Sequence, residues 1–370
     1  MHALPLSLYI HIPFCARKCP YCDFYSTETK QIPEKYYIET LLEDLRNDLH
    51  YVQDRPLTSI FIGGGTPSLL SAHSIDLLLN EIEKIISFKS NIEITIEANP
   101  GTAEQQKFSD FYRTGINRLS IGVQSFQNEK LKALGRIHHA DEAKRAIELA
   151  RLAGFKNINI DLMHGLPNQA IEDAQYDLRT ALQFSPEHLS WYQLTLEPNT
   201  PFALHPPACP AEEILWEIQE AGEQLLSGYE HYETSAYCLP GYACRHNMNY
   251  WQFGDYLGIG AGAHGKTTDA TSKITRYEKT KNLDHYFEHQ FVEKSYSPQN
   301  LPLEFMMNAL RLTNGVPLNL FSERTGMAIS DINTLLEIAK NREFIKIDHN
   351  RLQPTLLGQR FLNDCLELFI

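Results

Sequence analysis

Short runs of apolar, β-branched and aromatic residues alternate with helical-period segments through the first two thirds of the chain. The runs Leu6 to His11, Ser59 to Ile62, Ile92 to Glu97, Arg118 to Ile121, Ile158 to Leu162 and His188 to Leu194 predict six strands. Between them, Tyr36 to Val52 sets Ile38, Leu41, Leu42, Leu45 and Leu49 at helical spacing, and Ala140 to Ala153 does the same with Ala143, Ala146, Ile147 and Ala150. Each stripe is a face that can cover a sheet. Thr102 followed by Gln105 predicts a capping box at a helix start, and Gly115 and Gly154 fall where a left-handed cap would end one.

Strand and helix in alternation predict a parallel sheet with right-handed crossovers, and periodicity leaves open whether it closes fully, closes partly or stays open. In every case ligands gather at the carboxyl ends of the strands. Past Pro198 the pattern changes to a Pro-rich piece at His205 to Pro210, a helix around Ala211 to Ser227 and a Gly-rich run at Leu257 to Gly265. Further on, Leu303 to Leu312, Leu318 to Thr325 and Ser330 to Lys340 predict three helices, Phe344 to Ile347 with Leu352 to Pro354 a hairpin, and Thr355 the start of a last helix. Helices followed by a hairpin suggest a winged-helix-like module. The expected division is an α/β domain over 1–265, a linker over 266–298 and a mainly helical module over 299–370.

Composition narrows the class. Apolar residues make up 43% and charged ones 21% of the 370, an ordinary globular balance. The formal charge of −13 opposes phosphate backbones and anionic lipid, and the tail carries no dense basic stripe, so nucleic acid is a poor partner. No apolar run is long enough to span a bilayer, and Met1 to Ile12 lacks a basic n-region and a small-residue cleavage site, so the expected location is the cytoplasm.

The chemistry concentrates in cysteine. Of seven, Cys15, Cys19 and Cys22 crowd into eight residues directly after the first strand, while Cys209, Cys238, Cys244 and Cys365 lie far downstream. In a reducing compartment such crowding points to metal ligation before disulfides. A closed zinc site needs four ligands, and no further Cys or His follows at finger-like spacing. An iron–sulfur cube on three thiolates, by contrast, keeps one iron free to chelate a small molecule through an amine and a carboxylate.

Cys-x3-Cys-x2-Cys after the first strand, with Tyr21 before the last thiol, resembles the signature of the radical S-adenosylmethionine (SAM) superfamily. The resemblance implies a six-stranded partial (β/α) barrel with a 4Fe-4S cluster on Cys15, Cys19 and Cys22. SAM would bind the open iron, and one electron would cleave its sulfonium bond to a 5′-deoxyadenosyl radical. Other strand ends carry fitting groups. Gly63-Gly64-Gly65-Thr66-Pro67 lets backbone approach a ligand, Glu97, Gln124 and Asp161 can accept hydrogen bonds, and Arg136 can pair with a carboxylate. In this order the motifs resemble the oxygen-independent coproporphyrinogen III oxidase family, which implies SAM contacts from Tyr9, Tyr21, Gly64, Gly65, Thr66, Glu97, Gln124, Arg136 and Asp161.

Two features depart from that oxidase. Its fourth cysteine, two residues after the third, is Phe24 here, and a cluster loop starting at residue 15 leaves no room for the oxidase's longer amino-terminal segment. A further motif, His246-Asn247-Met248-Asn249-Tyr250-Trp251, offers an imidazole and two aromatic faces to a porphyrin. Phe24 with His-Asn-x-x-Tyr-Trp resembles the HemW-type haem chaperones of porphyrin metabolism. This implies haem as cargo with His246 as its iron ligand, and haem-acceptor proteins as partners, membrane-bound respiratory enzymes among them. His11, His138, His139, His164 and His264 are further candidate ligands. The rival expectations are an oxidative decarboxylase of coproporphyrinogen III and a winged-helix transcription factor with a redox sensor.

Overall fold

The computed structural model describes residues 4–370, so the part of the leader reading that rests on Met1 to Ala3 lies outside the described residues. Strands β1 (Leu6–Ile12), β2 (Leu57–Gly64), β3 (Phe88–Ala98), β4 (Arg118–Gln124), β5 (Ile158–His164) and β6 (His188–Gln193) pair in that order, all parallel. Helices α1 (Glu34–Asn47), α2 (Ala72–Ile85), α3 (Gln105–Arg113), α4 (Ala140–Ala153) and α5 (Ile171–Gln183) make the crossovers. Their apolar stripes bury one face of the sheet: Leu8, Ile10, Ile60, Ile62, Ile96 and Ile121 form one core with Leu41, Leu45, Leu78, Ile82, Phe108 and Ile147.

The opposite face is polar and concave. Ser7 meets Ser59 at 2.8 Å, Asn159 donates to Ser120 Oγ at 2.8 Å, and Ser120 donates to Asp161 at 2.9 Å. Strands that alternate apolar-out with polar-in, yet lie under helices, enclose a hydrated-type interior that a ligand can enter. The barrel is partial, because β1 and β6 do not pair with each other.

Both edges are extended. Beyond β6 come β8 (Ala236–Cys238) and β7 (Glu230–Glu233), and beyond β1 come β9 (Asp255–Ile259), β10 (His264–Thr268), β11 (Ile274–Lys279) and β12 (Val292–Tyr296), giving twelve strands. The segment 266–298, expected as a linker, instead carries strands of this sheet and a short helix, Leu283–Phe287. Its charged residues have the pattern of a polar connection, yet they are neutralised inside: Lys279, fully buried, reaches Asp44 at 2.5 Å and Asp48 at 2.9 Å on α1's end, and Lys266 reaches Asp255 at 3.0 Å. Nor does Thr102 cap a helix. It closes a 3₁₀ turn, Pro100–Thr102, donating its hydroxyl to Asn99 O at 2.8 Å, and α3 starts after Glu104. Gly154 ends α4 with φ of 104°, and Gly115 follows α3 with φ of 100°, as the left-handed caps require.

Of the remaining helices of the barrel region, α6 (Glu212–Leu225) lies outside β6, and α7 (Arg245–Trp251) packs against β1, β2 and β9. The carboxyl-terminal module has helices Leu301–Ala309, Asn319–Thr325 and Asn333–Asn341, the last entered through a 3₁₀ turn at Ile329–Ile332. Hairpin strands Ile345–Asp348 and Arg351–Pro354 join Val316–Pro317 in a small sheet, and Thr355 caps Leu356–Arg360. Its core, around Phe305, Phe321, Leu336 and Leu352, merges with Phe253, Ile274 and Ala236 of the barrel edges. Among the described residues no helix is long and apolar enough to cross a membrane.

Removing one partner of a buried ion pair strands the other charge. Lys279→Met should therefore lower the unfolding free energy by about 3–5 kcal/mol in urea titration, against under ~1 kcal/mol for the exposed pair member Lys35→Met. Equal effects would mean that the edge strands are not held through Lys279.

Candidate functional site

The three thiols sit on a loop whose ends are clasped. Phe14–Cys15 pairs in parallel with Thr27–Glu28, and Cys22 N–H donates to Cys19 O at 3.1 Å, which turns the loop back on itself. The glycine turn after β2 is sewn to its start: Gly65 N–H donates to Ile12 O and Thr66 N–H to Phe14 O, both at 2.8 Å. The approach is close enough to exclude a side chain. A Cβ on Gly65 would stand 2.6 Å from Phe14 O and 3.0 Å from Cys15 Sγ, and one on Gly64, at φ of 111°, 2.6 Å from the His11 ring.

The thiols also have polar company. The Thr66 hydroxyl lies 3.6 Å from Cys15 Sγ, and Arg136 Nη1 lies 3.8 Å from Cys19 Sγ while its Nη2 donates to Gly122 O at 2.8 Å. Arg136 Nε is buried with no partner. Burial pushes the Cys22 thiol up to about 11, so it waits as the protonated form until a metal displaces the proton. Among the described residues, no three His, Cys, Asp or Glu side chains converge on the spacing of a single ion. Three soft thiols with a cationic neighbour and a glycine-lined approach are a donor set for an iron–sulfur cube.

Beside them opens a cleft of about 250 Å³ walled by Tyr21, Gly64, Gly65, Thr66, Glu97, Gln124, Arg136 and Asp161, with Cys22 and Phe24 at its edge. The structure thus brings eight of the nine expected SAM-contacting residues to one place. Tyr9 is not on that wall; it lies deeper, its hydroxyl 2.9 Å from His11 Nδ1 and its ring over Phe61. Glu97 accepts from Gly64 N–H at 3.1 Å, and burial, with the neighbouring Asp161, pushes its carboxyl up to about 8. Burial raises Asp161 too, against bonds from Ser120 and Asn159. Gln124 sits at φ of 67° and takes the Tyr192 hydroxyl at 3.0 Å.

Tyr192, Ser120 and Asn99 also wall the cleft and were not singled out from the sequence. Tyr192 lies one residue from the end of the sixth strand, so its position carried the signal, but an aromatic in an apolar run reads as core.

His246 is placed elsewhere, in the barrel floor, 1% exposed. Its Nδ1 lies 3.1 Å from Ser59 Oγ and its Nε2 2.8 Å from Tyr250 Oη, so both ring nitrogens are engaged. Glu93 receives the Arg245 and His246 N–H groups at 3.1 Å each, anchoring the start of α7. Burial lowers the His246 pKa to about 3, which keeps the ring neutral. Of the other histidines, His11 is bonded between Tyr9 and the Tyr25 carbonyl, His138 lies 3.1 Å from Val123 O, and His139 and His264 are exposed. His164 lies on the outer face against Trp191, their rings 4.3 Å apart.

A partial parallel barrel with three clustered thiols at its strand ends defines a radical SAM protein, and residues 9–181 match the radical SAM superfamily model. Residues 296–361 match the HemN C-terminal domain. The chain is 53% identical to the heme chaperone HemW of Haemophilus influenzae and 49% to that of Escherichia coli, each over 99% of this chain and 98% of the relative. It is 34% identical to that of Bacillus subtilis over 88% of both. The chain belongs to the HemW haem chaperone family. Among solved structures it superimposes on the coproporphyrinogen III oxidase HemN of Escherichia coli with a TM-score of 0.82 at 22% identity, covering 99% of this chain and 90% of that one.

Gly65→Ala should fold, by far-ultraviolet dichroism, yet take up clearly less iron on anaerobic reconstitution, because its Cβ displaces Cys15; full iron loading would contradict the packing argument. In the cluster-free chain, Glu97 with a raised pKa contributes stability that is complete below pH about 4.5 and lost as pH rises through about 8. Glu97→Gln should flatten that part of the stability–pH curve in urea titrations, and an unchanged slope would show that Glu97 ionises normally.

Proposed function

We propose that this chain is a cytoplasmic haem chaperone. It binds haem and hands it to acceptor proteins, membrane-bound respiratory enzymes among them, and it carries a 4Fe-4S cluster with SAM at the open iron. One observation carries the choice over the decarboxylating oxidase: the residue beside Cys22 at the mouth of the cleft is Phe24, an apolar ring 58% exposed, with neither thiol nor ionisable proton. Identity to haem chaperones along essentially the whole chain supports the same reading.

Cys15, Cys19 and Cys22 would hold the cube, and Tyr21, Gly64, Gly65, Thr66, Glu97, Gln124, Arg136 and Asp161 would contact SAM. When bound, cube and SAM supply one-electron chemistry. The chain's own part is to exclude side chains at Gly64 and Gly65, to set Arg136 against Cys19, and to present Glu97 to a cationic amine, which would draw off the proton that burial keeps there. Ligation of haem iron by His246 requires α7 to leave the barrel floor, giving up the Ser59 contact, and Tyr250, on the same helix, to release Nε2.

Anaerobically reconstituted protein given SAM, reductant and coproporphyrinogen III should form no protoporphyrinogen IX above a cluster-free blank, while haem titration of the same sample should give a saturable Soret band. Turnover without haem binding would replace this reading by the oxidase.

A further inference from the structure

A second cleft, larger than the one at the thiols, opens elsewhere in the described residues. With a volume of about 770 Å³, it runs along the seam between the outer face of the barrel and the carboxyl-terminal module, three times the 250 Å³ of the SAM cleft. It falls within the range of roughly 300–1,000 Å³ that cofactor-sized ligands occupy. Its walls come from the ends of β5 and β6, from α6, from β7 and from the helix Leu356–Arg360. Two indole rings line it. Trp191 is pinned flat by α6, where a Cβ on Gly222 would stand 1.9 Å from the ring, and Trp216 lies under the Arg360 guanidinium at 5.6 Å.

Three groups in this cleft have valences that the fold leaves unused. His164 lines it, 3% exposed, and among the described residues neither of its ring nitrogens is hydrogen-bonded; Nδ1 is closed off, which leaves Nε2 as the nitrogen to face the cleft. Unsatisfied buried groups are rare and call for a reason. Arg311 uses Nη2 on Glu233 at 3.1 Å, but its buried Nε has no partner, and Arg360, besides lying over Trp216, makes one hydrogen bond, to Glu220 at 3.1 Å. Each guanidinium keeps donors for a second carboxylate. Glu212 and Glu223 also reach the wall, so the recognition rests on these two arginines against an otherwise mixed lining.

Resting on the haem-chaperone reading, we propose that haem docks in this seam cleft, its iron taken by the His164 imidazole, its ring flanked by Trp191 and Trp216, and its propionates paired with Arg311 and Arg360. Iron ligation needs a neutral imidazole, and burial lowers the His164 pKa to about 4, so no proton has to leave at neutral pH. Unlike ligation by His246, this requires no element to leave the core.

The placement also gives the His-Asn-x-x-Tyr-Trp motif a part that does not involve iron. The ring of Trp251, its last residue, lies 4.4 Å from the Arg311 guanidinium and holds that side chain at the cleft. Trp251 is thus a positioning residue.

The test is haem titration, by Soret absorbance, of the full chain with its cluster reconstituted. His164→Phe keeps the contact with Trp191 and should weaken binding at least about tenfold, or ~1.4 kcal/mol, and shift the Soret maximum. Arg360→Ala, at the surface, should weaken binding with the maximum unmoved. Trp251→Ala should act likewise and Trp251→Phe should restore affinity. If His164→Phe and Arg360→Ala both titrate as wild type while His246→Ala loses the band, the haem site lies in the floor and this proposal falls. A wild-type chain that binds no haem would overturn the chaperone reading itself. Should His164→Phe fail to fold, Arg360→Ala and the Trp251 pair decide.

Discussion

The structure depends on one close backbone approach, the glycine turn after the second strand lying against the start of the thiol loop. Two hydrogen bonds of 2.8 Å, from Gly65 and Thr66 to Ile12 and Phe14, fix where Cys15 points, and the absence of side chains at Gly64 and Gly65 lets the two segments touch. Because the turn belongs to a core strand and the loop to its neighbour, the thiols inherit the rigidity of the sheet. The same turn passes Gly64 N–H to Glu97 on the third strand, so three consecutive strand ends are set by one set of contacts.

Much of this was legible from residue order. The six strands follow from apolar runs because helices cover their outer face, and the rule that ligands collect at strand ends singles out Gly64, Glu97, Gln124 and Asp161, which the fold brings to one cleft. What escaped has definite causes. The edge strands over 264–296 look like a polar connection because Lys266 and Lys279 are charged, and only the fold shows Asp255, Asp44 and Asp48 waiting for them. Thr102 resembled a helix cap because capping boxes are defined by spacing alone, whereas Asn99 and Pro100 make a tighter local turn. His246 drew attention through its aromatic neighbours, and those neighbours turn out to engage it: Tyr250 takes one ring nitrogen, and Phe61 and Tyr9 pack around it.

The two clefts open on opposite faces of one sheet. The inner face is polar, opens at the thiols and suits a nucleoside cofactor; the outer face is apolar except where the seam with the carboxyl-terminal module opens a second, larger cleft. Residues of the sixth strand serve both, Tyr192 reaching inward to Gln124 and Trp191 outward to His164. A change at the inner site therefore has a short covalent path to the outer one.

The central claim is that three thiolates leave one iron of a cube open to a small ligand. Mössbauer spectra of the ⁵⁷Fe-reconstituted protein, prepared without air and recorded before and after SAM is added, test it most directly. One iron in four should change its parameters on adding SAM while the other three stay as they were. A preparation holding closed zinc and no sulfide, or four irons indifferent to SAM, would contradict it.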